Sequence, residues 1–163
     1  MRTIDALRAT PVLLCAMLAA CGGKESAPQP AQAAPPPAEA RAGDLRILAS
    51  AVNTMSLPEQ VAKGYGIARG EQTWLLMVSV RQDAKDPKAG ADKAWPAQVQ
   101  ARVRDLQGRT IDIPMREQRT AADYVDNLGT FSITPPDTLQ FTVQVTPQGA
   151  GPTTLEFTRE IAR

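Results

Sequence analysis

Two stretches of strict alternation constrain this chain more than anything else in it. Ala97, Val99, Ala101 and Val103 alternate with Gln98, Gln100, Arg102 and Arg104, and Leu139, Phe141, Val143 and Val145 alternate with Gln140, Thr142, Gln144 and Thr146. Successive side chains of a strand point to opposite faces, so each stretch predicts a strand with one face buried and the other in water. Leu45 to Val52 and Trp74 to Val80 are apolar in both phases, as strands covered on both sides are. Ile111, Ile113 and Met115 continue a hairpin through Gln107-Gly108, and further strands are expected near 124–133 and 154–161. Pro135-Pro136-Asp137 and the stretch 147–152 supply the turns between the last three. About seven short strands predict an all-β fold, an antiparallel immunoglobulin-like β-sandwich.

One segment breaks the alternation. In Ser56-Leu57-Pro58-Glu59, the serine and the glutamate three residues on have the spacing of a capping box, Pro58 suits a first helical turn, and Gly64 and Gly66 end the helix. A single short helix is expected from about Leu57 to Lys63.

The N-terminal part obeys different rules. Arg2 and Arg8 precede an apolar run from Val12 to Ala20, and the uncharged stretch before Lys24 is shorter than the ~20 residues of a membrane-spanning helix. That pattern predicts a secretory signal peptide over 1–20. Leu18-Ala19-Ala20-Cys21 resembles a bacterial lipobox, which makes Cys21 the expected site of lipidation and the mature N-terminus. Cys15 would leave with the signal peptide, so no thiol is expected in the folded part for a disulfide, a metal or catalysis. Residues 21–43 then read as the lipidated Cys followed by a disordered Ala/Pro-rich linker, able to reach about 70 Å as a polyproline rod. Two or more acyl chains would hold the protein to a membrane permanently. Gly22-Gly23, in place of an aspartate next to the lipidated cysteine, favours the outer membrane over the inner, on the periplasmic side. The domain proper is expected over 44–163.

Charge and composition exclude several function classes. The formal net charge is +1, from 18 Lys+Arg and 17 Asp+Glu, so there is no basic field for nucleic acid. The chain has no histidine, which removes the commonest general base and the commonest metal ligand together. No serine is followed by lysine at the third position. Gly64, Gly66 and Gly70 have the wrong spacing for a dinucleotide fingerprint, and the order of elements around them is reversed. Asp83, Asp86 and Asp92 share a loop with Lys85, Lys88 and Lys93, which reads as a solvated hairpin loop and not as a calcium site.

Asn53-Thr54, Leu57-Pro58-Glu59, Tyr65-Gly66-Ile67, Arg69, Arg116-Glu117, Tyr124 and Phe157-Thr158-Arg159-Glu160 occur in this order across nearly all of the domain. Together they resemble the bacterial exported family known as domain of unknown function 4426. The resemblance implies a secreted β-sandwich and brings no activity with it. The chain departs from the family pattern at Tyr124-Val125, where paired aromatics are usual, and at Ile161, where an aromatic often follows.

The remaining polar candidates are Tyr65, Arg69, Arg116, Glu117, Tyr124 and Arg159. Arg159 shares its strand phase with Leu155, Phe157 and Ile161, so its guanidinium is expected on the inner face, paired with an acid such as Glu117 or Asp123. The competing expectation is a polar pocket in which Arg116 or Arg159 holds a carboxylate or phosphate beside Tyr65 and Tyr124. The function these observations favour is that of a lipid-anchored periplasmic accessory domain. It would bind a protein or envelope component without catalysis, and with no cofactor and no metal. A small-molecule binding domain with a pocket of Tyr65, Arg69 and Tyr124 is the alternative, and a histidine-free carboxylate hydrolase stands third. The sequence leaves the oligomeric state open.

Overall fold

The computed structural model describes residues 35–83, 92–120 and 124–161. Its ten strands are β1 (Ala38–Ala42), β2 (Leu45–Asn53), β3 (Thr73–Gln82), β4 (Lys93–Ala94), β5 (Ala97–Arg104), β6 (Thr110–Ile113), β7 (Arg116–Thr120), β8 (Tyr124–Ser132), β9 (Asp137–Pro147) and β10 (Thr153–Ile161). They form two antiparallel sheets. One runs β1-β2-β3-β8-β7, with β4 against the end of β3, and the other runs β10-β9-β5-β6. The all-β sandwich is as expected. The stretch 1–20 read as a signal peptide and Cys21 lie outside the described residues, among which no helix is long and apolar enough to cross a membrane.

Alternation translates directly into the core. Leu45, Ile47 and Ala49 of β2 share the interior with Leu76, Val78 and Val80 of β3, and opposite them lie Val103 of β5 and Leu139, Phe141, Val143 and Val145 of β9. Phe141, 1% exposed, stacks on Phe157 with ring centroids 4.7 Å apart and meets Phe131 edge-on at 5.7 Å. Burying a side chain of this size contributes about 2–3 kcal/mol.

Three boundaries differ from the sequence reading. β1 lies inside the stretch 21–43 assigned to the linker, and it pairs with β2 from Ala38↔Ala49 to Ala42↔Leu45. The hairpin closes on Gly43-Asp44, with Gly43 at φ +63°, a backbone region open to glycine at little cost. With β1, short β4 and the separate β7 raise the count from seven strands to ten. The capping box does not form. Thr54–Ser56 is instead a 3₁₀ turn capped by the Asn53 side chain, and helix α1 (Glu59–Gly64) starts after Pro58 with no side-chain cap. The Ser56 hydroxyl donates back to the Asn53 carbonyl at 2.6 Å.

At one lateral edge the chain crosses between sheets through Pro114-Met115, linking β6 to β7. Gly129 of β8 makes room for that crossing. A Cβ there would lie 2.5 Å from Met115 Sδ and 2.6 Å from Ile113 Cγ2. At the other edge β1 and β10 approach each other across the two sheets.

Candidate functional site

The helix and its flanking turns pack on the outer face of the six-stranded sheet. Ala62 and Ile67 pack on Leu75 and Leu128, with Val52, Leu57, Tyr65 and Met77 around them. The turn beneath is tied by Thr54, which is fully buried. Its Oγ1 accepts the Gly70 amide at 2.9 Å and donates to the Thr73 carbonyl at 2.9 Å. A hydroxyl in this position satisfies backbone groups that would otherwise be orphaned in a dry interior.

Two of the candidate arginines serve this construction. Arg69 donates from Nη2 to the Met55 carbonyl at 2.8 Å and from Nε to the Thr54 carbonyl at 3.4 Å. Arg116 on β7 donates from Nη2 to the carbonyl of Tyr65, the residue that ends α1, and from Nη1 to Gln118 Oε1 at 2.8 Å. Carbonyls at a helix end lack intrahelical partners, and a cation there satisfies them. Arg69 and Arg116 thus fasten the helix and its preceding turn to the sheet.

Glu117 and Arg159 stand apart from that group and from each other. Glu117 accepts from Arg119 Nε at 2.8 Å, with the two side chains 38% and 71% exposed, so the pair contributes little to stability. Arg159 keeps its phase on the inner side of β10 but reaches the seam between the sheets. Its Nη2 donates to the Pro36 carbonyl at 2.5 Å, and its guanidinium lies 5.2 Å from the Phe157 ring centroid. The expected Arg159–Glu117 pair is therefore corrected to a contact with a backbone carbonyl and an aromatic face. β10 lies at the edge opposite to β7, too far across the sandwich for that pairing. Asp123 lies outside the described residues, as does the Tyr124 side chain. The backbone of Tyr124 pairs with Thr120.

The ion pairs that the fold does build are elsewhere. Arg81 Nη2 meets Asp126 Oδ1 at 2.7 Å, with side chains only 12% and 14% exposed, and Arg81 Nη1 also donates to the Val125 carbonyl at 3.1 Å. Below them Arg41 binds Asp83 at 2.7 Å, while Arg46 approaches Asp83 at 3.3 Å and also binds Asp92. The hydrogen bond to Asp83, followed by its charge, raises the pKa of Arg41. Two carboxylates of the loop read as solvated are therefore engaged by arginines of β1 and β2; residues 84–91 are outside the described set. Among the described residues no three His, Cys, Asp or Glu side chains come together as a metal site.

Among the described residues nothing covers the outer face of the four-stranded sheet. Gln98, Gln100, Arg102 and Arg104 of β5 line up against Thr146, Gln144, Thr142 and Gln140 of β9, and these in turn face Thr154, Glu156 and Thr158 of β10. Arg102 and Arg104 border a shallow depression of about 530 Å³ with Gln140, Thr142, Glu156 and Thr158. The polar phase of each strand was visible in the sequence. That these strands are neighbours was not, because the pairing of β5 with β9 joins segments some forty residues apart.

The fold and these sites define a two-sheet, all-β domain with helix α1 packed on one sheet. The chain belongs to the family described as domain of unknown function DUF4426, whose model matches residues 39–162. It is similar to the crystal structure of a DUF4426 family protein from Pseudomonas aeruginosa PAO1, with 26% identity and a TM-score of 0.64, over 77% of this chain and 94% of that one. It shares its fold with FetP of uropathogenic Escherichia coli, isolated after expression in the periplasm, at 9% identity and a TM-score of 0.54, over 77% of this chain and 95% of FetP. A copper-bound variant of FetP aligns at 10% identity and a TM-score of 0.53, over 78% and 98% of the two chains. No curated protein matches the chain in sequence.

Proposed function

We propose that this chain is an exported accessory domain, lipid-anchored at Cys21 on the periplasmic side of the outer membrane, which acts by binding a protein or envelope component and not by catalysis. The observation that carries the reading is an asymmetry between the two sheets. The six-stranded sheet has its outer face occupied by α1 and by the arginine–carboxylate pairs. On the four-stranded sheet a whole face of Gln, Thr, Arg and Glu side chains has nothing over it among the described residues. A flat, polar and open face suits recognition of another surface, whereas catalysis calls for a cleft that excludes water.

Location has separate support. The lipobox-like Leu18-Ala19-Ala20-Cys21 points to export with an anchor, and the fold is shared with FetP, a protein produced in the periplasm. The pocket of Tyr65, Arg69 and Tyr124 is the weaker reading, because Arg69 and Arg116 already direct donors to backbone carbonyls.

Site-specific photo-crosslinking in intact cells tests the proposal. A crosslinker at Gln144, on the bare face, should capture a discrete envelope species that co-purifies from solubilised membranes. One at Lys63, on the outside of α1, should not. Equal capture from both positions, or none from Gln144, overturns the face assignment.

A further inference from the structure

We propose that the sandwich takes up an extended polypeptide segment as an added strand beside residues 97–100 of β5, on the line that β6 leaves open. The proposal rests on the reading of this chain as a binding domain and names the chemistry of one partner. β5 has eight residues and pairs with β9 along its whole length. β6 has four and pairs only with residues 101–104 of β5. The chain then leaves this sheet through Pro114-Met115 and continues as β7 of the other one. Past that crossing no described residue pairs with β5 on its β6 side. The gap is visible in the burial of the inner face. Ala101 and Val103, beside β6, are buried, whereas Ala97 and Val99 of the same phase remain half-exposed, as does Met115 next to them.

Backbone groups open into this gap as well. The Pro96 carbonyl accepts the Gln148 amide at 2.9 Å, so the groups of residue 96, and with them those of 98 and 100, turn toward β9. Alternate residues of a strand direct their N–H and C=O to opposite neighbours, which turns those of Ala97 and Val99 into the gap. Pro147, opposite Ala97 on β9, has no N–H to offer it. Two donors and two acceptors at this spacing are matched by another strand, the template an open sheet edge presents. Its inward side chains would cover Ala97, Val99 and Met115, which suits branched apolar residues, and its outward ones would lie beside Gln98 and Gln100, which suits Thr or Gln. One depression, of about 600 Å³, is bordered by Val99, Ile113 and Met115, and a second, of about 510 Å³, by Ala97, Gln98 and Glu117. The charges at their rims are already balanced, Asp112 by Arg102 at 4.0 Å and Glu117 by Arg119 at 2.8 Å. The partner assigned is therefore an uncharged extended segment with apolar residues at alternate positions.

Backbone amide hydrogen exchange in the purified protein, with and without the capped peptide Thr-Val-Thr-Val-Thr-Val, tests the proposal. In the free protein Ala97 and Val99 should exchange much faster than Ala101 and Val103, whose amides are covered by β6. Peptide at about millimolar concentration should slow Ala97 and Val99 about tenfold. Guest valines would stand opposite these two residues and turn their own N–H groups to them. N-methylation of the valines should therefore weaken binding about tenfold or more, while N-methylation of the threonines, whose N–H groups face away, should leave it unchanged. Added salt should have little effect, because no net charge is met. No slowing at Ala97 and Val99, slowing centred on another edge strand, equal loss from the two N-methylated peptides, or binding abolished by salt would each overturn the proposal. Neither a membrane nor a cellular partner takes part in this exchange measurement, so its failure would leave the anchored binding domain standing, and failure of the crosslinking from Gln144 would not be mistaken for it.

Discussion

Arg159 donates to the carbonyl of Pro36 at 2.5 Å, joining the last strand to the chain just ahead of the first across 123 residues of sequence. The guanidinium also lies over Phe157, whose ring stacks on the buried Phe141. The contact closes the seam between the two sheets just ahead of β1. It joins a cation to a carbonyl and a ring, and it leaves no buried acid dependent on it.

Arg159→Ala should therefore cost about 1 kcal/mol, the scale of one partly exposed hydrogen bond and one cation–π contact. A buried pair broken on one side would cost about 3–5 kcal/mol instead. Urea melts of Arg159→Ala, Glu117→Ala and the double variant should show additive losses, because the two residues share no partner. Coupling above about 0.5 kcal/mol would contradict the geometry.

The large electrostatic effect is expected at Arg81. Removing either partner of the Arg81–Asp126 pair leaves a poorly solvated charge, so Arg81→Ala and Asp126→Ala should each cost about 3 kcal/mol, with the double variant recovering part of the loss. Chemical denaturation checks this. Losses under about 1 kcal/mol would place the pair with ordinary surface bridges.

Gly129→Ala tests the crossover. The added methyl would collide with Met115 Sδ and Ile113 Cγ2, and would sit 3.0 Å from the Pro114 carbonyl, so the strand connection must shift. A loss of about 2 kcal/mol is expected from overpacking. A melt unchanged from the wild type would show that β6 and β7 can separate from β8 at little cost.

Limited proteolysis followed by N-terminal sequencing locates the true start of the domain. With β1 hydrogen-bonded along β2, the resistant core should begin near residues 35–38 and not at Asp44. Cleavage inside Ala38–Ala42 would argue that β1 detaches in solution.

Cys21→Ser addresses the anchor. The substituted protein should leave the detergent phase or accumulate uncleaved, because the thiol is the proposed acceptor of the lipid. Continued partitioning into detergent at the mature mass would remove the lipoprotein reading.

Alternation in β5 and β9 determined by itself which side chains face inward, since side-chain direction follows the backbone residue by residue and needs no partner to be known. The all-β class, the strands β2 and β3, the existence of a short helix and the family resemblance were legible for the same reason, each being carried by residues close together in the chain. Gly43 was read as the end of the linker, because Ala38–Ala42 is too rich in alanine to look like a strand until Ala49 and Leu45 are placed beside it. Partner choice belonged to the tertiary structure. Arg159 and Glu117 sit at opposite edges of the sandwich, Arg81 finds Asp126 across β3 and β8, Arg69 is drawn to carbonyls of the 3₁₀ turn that stands where the capping box was expected, and Arg116 to the carbonyl at the end of α1. The bare face of the second sheet was equally hidden, because it arises only when β9 lies between β5 and β10. Such contacts depend on which distant segments the buried apolar faces bring together, and local pattern holds no record of that pairing.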